Sequence, residues 1–401
     1  MITQIKKTWQ RVKLRDVIEK VIDNRGKTPP LSKSGHELIE TFQMSINNKY
    51  PDLTNKDKQK YVSEEIYNTW FRSGHPKEGD ILFSTVGASI PQWCFVPKNS
   101  EYCIAQNLIA LRPDKNKVLP EYLKSYFNQK KFIQEVKGII IGAAQPSIKV
   151  PHLLSLEIAL LSLNDQELIT AILSAFDDKI ELNNKISRTL EEIAQLIFKE
   201  WFIKNSKVKN PTAKLSELVK TQYGYTESSS EEKIGPKFLR VMDINKTDWI
   251  NWDTVPYCKI SEDRLSKYQL KKGNIVIARM ADPGKVAIIE EDVDAVFASY
   301  LIRLQIINKD LTPYFLFYYL RSRLYQDFIF GASTGTTRQS ANARVITDLE
   351  LAVPSKDKIL EFENIVSAIR NRILVNVKEN QKIAALRDLL LPKLISGEIR
   401  V

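Results

Sequence analysis

The 401 residues are 43% hydrophobic, which is too apolar for a disordered chain and enough for roughly two to four packed domains. Against 48 acidic residues stand 59 basic ones, a formal charge of +11 that points to a polyanionic partner, nucleic acid first among them. Cys94, Cys103 and Cys258 form no CxxC pair, no apolar run is long enough to span a bilayer, and "MITQIKKTWQRVKL" lacks a signal-peptide core, so the expectation is a soluble cytoplasmic protein without disulfides or membrane contact.

From the N-terminus onward the chain is written twice. "KLRDV" at 13–17 returns as "KLSEL" at 214–218, and a Gly-x-Thr turn follows each, Gly26–Thr28 and Gly224–Thr226. "VSEE" (62–65) answers "ISED" (260–263), and "KEGDILFS" (77–84) answers "KKGNIVIA" (271–278). "LPEYLKSYF" (119–127) answers "LTPYFLFYYL" (311–320), and "GAAQPSI" (142–148) answers "GASTGTTRQSAN" (331–342). The offset falls from about 200 near the start to about 193 at the long helices, with small insertions at loops. Short β-branched and aromatic runs such as "DILFSTV" and "NIVIARM" read as strands, and "PEYLKSYFNQKKFIQEVKG" reads as helix, so each globular part is α+β.

A long helical stretch closes each copy, 165–203 and 356–396. In the first, Ile169, Leu173, Phe176, Ile180, Asn183, Ser187, Leu190, Ala194, Ile197 and Trp201 alternate in steps of four and three. The same positions in the second are Phe362, Val366, Ile369, Ile373, Asn376, Asn380, Ile383, Arg387, Leu390 and Leu394. Spacing sustained over more than four heptads predicts a coiled-coil seam. An amphipathic helix packed on its own domain is the competing reading, but such helices usually run only about 8–20 residues. Duplicated domains commonly sit about a pseudo-two-fold axis. The expected architecture is therefore two pseudo-two-fold-related α+β domains, 1–163 and 206–354, separated by two long antiparallel helices, 164–205 and 355–401, forming a coiled coil. Residues 165–203 carry eight acids and four bases, so the basic excess lies outside the central helix.

"KIELNNKISR" (179–188) puts Asn183 on the seam and Asn184 beside it. Asparagine is a poor helix-interior residue, because its amide competes for backbone hydrogen bonds. Antiparallel pairing brings Asn183 and Ser187 to Asn376 and Asn380, a polar layer that costs stability and fixes register. At the helix ends, Phe198, Trp201 and Phe202, and Leu391, Leu394 and Ile395, offer more apolar surface than a seam needs. That surplus docks a neighbouring domain or a partner subunit, or caps the chain's own core.

Catalytic motifs are incomplete. "HELIE" (36–40) has one His and the Glu of a zinc-protease helix but Glu40 where the second His belongs, and His75 and His152 stand alone. Pro113-Asp114 with Glu135-x-Lys137 imitates a nuclease constellation, but Glu135 and Lys137 close an apparent helix and the second copy has neither element. The glycine-containing stretches lack the Lys-Ser/Thr of a nucleotide-binding loop, and no Asn/Asp-Pro-Pro-aromatic motif is present. No metal or cofactor site is expected.

Recurring polar loops suit DNA contacts instead. Arg pairs bidentately with guanine, and Gln or Asn with adenine, while Ser, Thr and Lys commonly meet phosphate. The candidates in the first copy are Lys27, Thr28, Ser84, Thr85, Gln145, Ser147 and Lys149. Those in the second are Tyr225, Thr226, Arg279, Thr336, Thr337, Arg338, Gln339 and Arg344, with Arg338 and Gln339 expected to read bases. For any one of them the bland alternative is a solvated loop side chain; the clustering at corresponding places is the stronger signal.

"DDKIELNNKISRTLEEIAQLIFKEWF" (177–202) resembles the central helical spacer of type I restriction–modification specificity subunits, and "ALRDLLLPKLISGEIRV" (385–401) the end of their C-terminal spacer. "KEGDILFSTVGA" and "GAAQPSI" resemble segments of their target-recognition domains, and the likeness covers the whole duplicated chain. The resemblance implies a non-catalytic subunit that reads a bipartite double-stranded DNA sequence, one half-site per domain, with the helices fixing an unread gap. It further implies two modification (methyltransferase) subunits and two restriction (translocase–endonuclease) subunits as partners, which would hold S-adenosylmethionine, ATP and magnesium. Loop "STGTTRQSANAR" is longer and richer in Arg than "GAAQPSIK", and Asn274 replaces Asp80, so the two half-sites are expected to differ. A helix of about 38 residues spans about 57 Å, long enough to bridge the roughly 34–36 Å of one DNA turn.

Three other readings compete. A recognition subunit could serve a methyltransferase without a nuclease partner. A stand-alone nuclease or methyltransferase would need a complete catalytic motif. A coiled-coil adaptor would use its basic domains on protein or RNA.

Overall fold

The duplication in the sequence reappears as two four-stranded antiparallel sheets with the same strand order. In the computed structural model, which describes residues 10–46, 48–142, 144–204, 211–245, 247–333 and 340–399, the chain divides into two units. One comprises Met1–Ile180 with Lys382–Val401, the other Glu181–Gln381.

In the first unit, Ile18–Ile22 pairs with Leu108–Pro113, which pairs with Ile81–Ser84, which pairs with Trp93–Phe95. A second sheet sets His36–Ile39 between Lys60–Val62 and the parallel strand Cys103–Ile104. Gln10–Lys13 closes the unit against Glu157–Leu160. All four residues of Ile81–Ser84 are buried, because the strand lies inside the sheet with both faces covered. Helices Pro120–Phe127 and Lys130–Gly138 cover one face. Proline opens the first of these helices, where its missing N–H would have had no intrahelical partner. The core gathers Phe83, Trp93, Phe127 and Phe132 with Ile169 and Leu173 of one long helix and Leu391, Leu394 and Ile395 of the other.

The second unit repeats the plan. Val219–Tyr223, Leu301–Ile306, Ile275–Ala278 and Val286–Ile288 form its sheet in that order. Lys237–Leu239 runs parallel to Ala295–Phe297, and Thr212–Lys214 pairs with Glu350–Ala352. Helices Pro313–Arg321 and Arg323–Ser333 follow.

The long helices are Leu163–Phe198, continued by π-helical turns over Lys199–Lys204, and Lys356–Ile395. Within the second unit they run antiparallel. Asn183 meets Asn380, Ser187 meets Asn376, Glu191 meets Arg370, and Phe198 meets Phe362, so partner numbers fall along one helix as they rise along the other. The four–three positions expected from the sequence are buried or half-buried. The fold is thus α+β with coiled-coil helices.

Phe198 packs with Phe315 and Phe362 in the second unit's core, with Trp201 and Phe202 against it. Leu391, Leu394 and Ile395 enter the first unit's core. Of the uses the sequence left open for this surplus apolar surface, the structure shows burial against the chain's own domains.

One charged group is enclosed with the helices. Arg370 is 0% exposed, bonded to Glu191 at 2.6 Å and to Glu290 at 2.6 and 2.7 Å. Arg321 adds a second guanidinium between Glu191 (2.8 Å) and Asp248 (2.5 Å), and the Tyr318 hydroxyl donates to Glu191 at 2.9 Å. Burial alone would lower the Arg370 pKa, but the Glu290 and Glu191 carboxylates hold it well above the ordinary value. The cation is permanently charged, and the network ties a residue of each long helix to the recognition fold of its unit.

Candidate nucleic-acid interface

Each unit brings three chain segments together at the end of its central strand. In the first, Thr85 follows Ile81–Ser84; its N–H donates to the Asn107 carbonyl at 2.8 Å, and its carbonyl accepts from the Ile148 N–H at 2.8 Å. Val86 bridges Ser147, and the Gly87 N–H donates to the Pro146 carbonyl at 3.1 Å. In the second, Arg279 follows Ile275–Ala278; its N–H donates to the Tyr300 carbonyl at 2.9 Å, and its carbonyl accepts from the Ala341 N–H at 2.9 Å. Met280 bridges Ser340. The backbone frame is the same; the side chains mounted on it are not.

In the first unit this frame gathers the expected residues Ser84, Thr85, Gln145 and Ser147. Ser84 and Thr85 are fully buried, which corrects their reading as direct DNA contacts. The Ser84 hydroxyl accepts from the Gln92 N–H at 2.7 Å and the Thr85 hydroxyl donates to the Asn107 carbonyl at 3.1 Å, so both side chains hold the loop rather than face solvent. Gln145 and Lys149 are exposed, and Ser147 is half-buried with its hydroxyl 3.4 Å from the Ile141 carbonyl. Lys27 and Thr28 are exposed on the connection between Ile18–Ile22 and His36–Ile39, beside an Arg25 that is held by Asp23.

In the second unit, Thr336, Thr337, Arg338 and Gln339 lie outside the described residues. Their flanks are fixed: Ser340 by the bridge to Met280, and Ala343 by its N–H, which donates to the Tyr223 hydroxyl at 3.0 Å. Arg344 is exposed on the short helix Ala343–Thr347, which Asn342 caps by accepting from the Val345 N–H. Tyr225 is half-buried against Tyr268, its N–H donating to the Phe297 carbonyl at 2.7 Å, and Thr226 beside it is exposed. The strand end is pinned at Gly224, where a Cβ would lie 2.2 Å from the Ala298 carbonyl oxygen; only glycine fits that approach.

The sequence did not single out Tyr223 and Tyr300. Tyr223 carries the Arg279 guanidinium 5.2 Å from its ring centroid, and Tyr300 is 50% exposed at the position that Asn107 holds in the first unit. Both follow from the repeat: where the first copy has Thr85 and Asn107, the second has Arg279 and Tyr300, a change from a buried hydroxyl and a half-buried amide to a cation and an aromatic.

Among the described residues no cluster of His, Cys, Asp or Glu could hold a metal ion, and no helix is long and apolar enough to cross a membrane. The three cysteines are buried; burial pushes the Cys94 and Cys103 thiols up to about 12 and the Cys258 thiol up to about 11, far from a reactive thiolate.

Comparison with known proteins agrees with this doubled plan. The chain is 26% identical over 402 residues to the type I restriction enzyme HindI specificity subunit of Haemophilus influenzae, covering 80% of this chain and 87% of that one. It is 24% identical over 421 residues to the type I restriction enzyme MjaVIII specificity subunit of Methanocaldococcus jannaschii, covering 99% and 94%. Its fold is similar to the crystal structure of the type I restriction–modification system S subunit from M. genitalium, with a TM-score of 0.54 at 15% identity over 98% of this chain and 97% of that one. A family model described as the type I restriction modification DNA specificity domain matches residues 6–192 and again 205–385, and the chain belongs to that family.

Proposed function

We propose that this chain, a type I restriction–modification specificity subunit with two target-recognition domains, reads a bipartite and asymmetric double-stranded DNA sequence. Each domain reads one half-site, and partner subunits perform the chemistry. The observation that carries the reading is the repeated backbone frame with Thr85 and Asn107 on one copy and Arg279 and Tyr300 on the other. A duplicated scaffold presenting unlike side chains at one place suits two unlike half-sites.

The recognition domains are taken as 1–163 and 206–354, the spacers as 164–205 and 355–401. Partners would be two modification and two restriction subunits, which supply S-adenosylmethionine, ATP and magnesium. Phe198 and Leu391 are spent on the chain's own cores, whereas Leu182, Ile193 and Leu196 of one long helix and Leu386 and Leu389 of the other are exposed. These outward leucines and isoleucine suit an apolar helix face of the modification subunit.

The test is single-molecule methylome sequencing of a host carrying the chain with its modification subunit. The expected result is one split motif with different halves and a fixed unread gap. A continuous or palindromic motif overturns the reading. Inserting one heptad within 165–203 should lengthen the gap; an unchanged gap removes the helices' role as a ruler.

A further inference from the structure

We propose that Arg279 reads a guanine in the half-site of the second domain, held for that purpose by the face of Tyr223. This rests on the DNA-reading function proposed above and assigns one base contact within it.

Several enclosed arginines are matched to acids, Arg112 to Asp80, Arg240 to Asp243, Arg321 and Arg370 to Glu191, and Arg387 to Asp177, while Arg303, which has no acid, donates to the Gln269 and Lys267 carbonyls and the Gln222 amide oxygen. Arg279 is different. Among the described residues it has no carboxylate partner, and its Nε is buried without a hydrogen-bond acceptor. Its guanidinium lies 5.2 Å from the Tyr223 ring centroid, and Nη2 rests 3.4 Å from the Met280 sulfur. A half-buried cation with no acid beside it leaves a desolvation cost that a bound acceptor would repay.

The slot also fixes the direction of the contact. Its backbone is fixed on both sides by the Tyr300 carbonyl and the Ala341 N–H, each 2.9 Å away. The ring beneath it is fixed through the Tyr223 hydroxyl, which accepts from the Ala343 N–H at 3.0 Å. A guanidinium laid on an aromatic face between a ring and a thioether presents a flat, directed fork. That shape matches the O6 and N7 edge of guanine, and because the same fork can also take two phosphate oxygens, base preference and salt dependence together decide between them. In the first domain the same frame carries Thr85, buried, with its hydroxyl spent on the Asn107 carbonyl, so this contact is confined to one half-site.

The experiment selects randomised duplex DNA at fixed salt with the full chain bound to its modification subunit. Arg279→Gln and Arg279→Lys should each lose preference for guanine at one position of one half-site, by roughly 5- to 150-fold, the range for one bidentate pair. The other half-site should be unaffected. Arg279→Lys keeps the charge, so its loss of preference would show that the fork matters. Tyr223→Leu should lose the same preference with Arg279 intact.

Unchanged guanine preference in either Arg279 variant overturns the proposal. So does a uniform loss across all sequences with the salt slope reduced by about 1, the signature of a phosphate contact. Retained preference in Tyr223→Leu overturns the role of the ring. If the unmutated complex selects no split sequence, the DNA-reading function itself fails; a split sequence indifferent to Arg279 defeats this assignment alone.

Discussion

Asn183 and Asn380 meet across the two long helices, Nδ2 to Oδ1 at 2.9 Å, and the Asn380 amide in turn donates to Asn184 at 2.9 Å. Asn183 also donates to Glu379 at 2.8 Å, and one step along the seam the Asn376 amide donates to Ser187 at 3.2 Å. Asn183 is 0% exposed, and the side-chain Oδ1 atoms of Asn183 and Asn376 have no hydrogen-bond partner. The layer is therefore only partly satisfied, and each orphaned acceptor costs about 1–3 kcal/mol. Asn183→Leu combined with Asn380→Leu should raise unfolding free energy by about 1 kcal/mol, read by urea denaturation, because apolar seam residues replace a half-satisfied amide pair. If the layer fixes register, the same variant should methylate sites with more than one gap length. A single unaltered gap would leave the asparagines as a tolerated flaw.

Arg370 makes a sharper case. Arg370→Met leaves Glu191 and Glu290 buried without their shared cation, and breaking such a buried pair costs about 3–5 kcal/mol. Urea-denaturation midpoints at neutral pH measure this; a loss below about 1 kcal/mol would mean that the network contributes nothing net.

These two sites differ in how far the sequence could reveal them. Asn183 stands in a row whose four–three spacing is set by helix geometry, so antiparallel pairing narrows its facing residue to Asn376 or Asn380, and the structure selects Asn380. Arg370 sits beside seam residue Ile369, where an arginine reads as a solvated flank. Its burial depends on Glu290 after a strand, Asp248 in a loop and Glu191 on the other helix converging, and none of these is near it in sequence. Ser84 and Thr85 show the opposite case. Polar residues at a strand end read as surface groups, yet their hydroxyls bond the neighbouring backbone and stay inside. Tyr223 and Tyr300 escaped notice because aromatic residues beside strands ordinarily belong to the core.

Gly224→Ala tests the geometry that carries Tyr223. The added Cβ would meet the Ala298 carbonyl oxygen at 2.2 Å and the Phe297 carbonyl oxygen at 2.5 Å, so the strand end must move. Forced overpacking of this kind costs about 1–3 kcal/mol. Since Tyr223 precedes the glycine directly, selectivity for the second half-site should weaken while the first is kept. A wild-type melting midpoint together with wild-type selectivity would show that the approach is not a constraint.

Lys124 offers a pH-dependent prediction. It lies on the helix Pro120–Phe127, 7% exposed, with Nζ 5.5 Å from the Phe95 ring centroid. Burial pulls its pKa below the ordinary 10.5; the Asp177 carboxylate opposes the shift, and Arg387 and Lys49 add to it. A folded-state pKa below the unfolded one means that the unfolded chain binds more protons between the two values, so stability rises with pH across that window. The penalty is fully present below the folded pKa and is relieved by 10.5. Lys124→Met keeps most of the packing volume and removes the buried charge, and should stabilise the chain by about 1 kcal/mol at neutral pH. It should also flatten the rise of stability on the alkaline side, measured by urea denaturation from pH 7 upward. A variant less stable than the wild type would mean that the ammonium's attraction to Asp177 outweighs its desolvation.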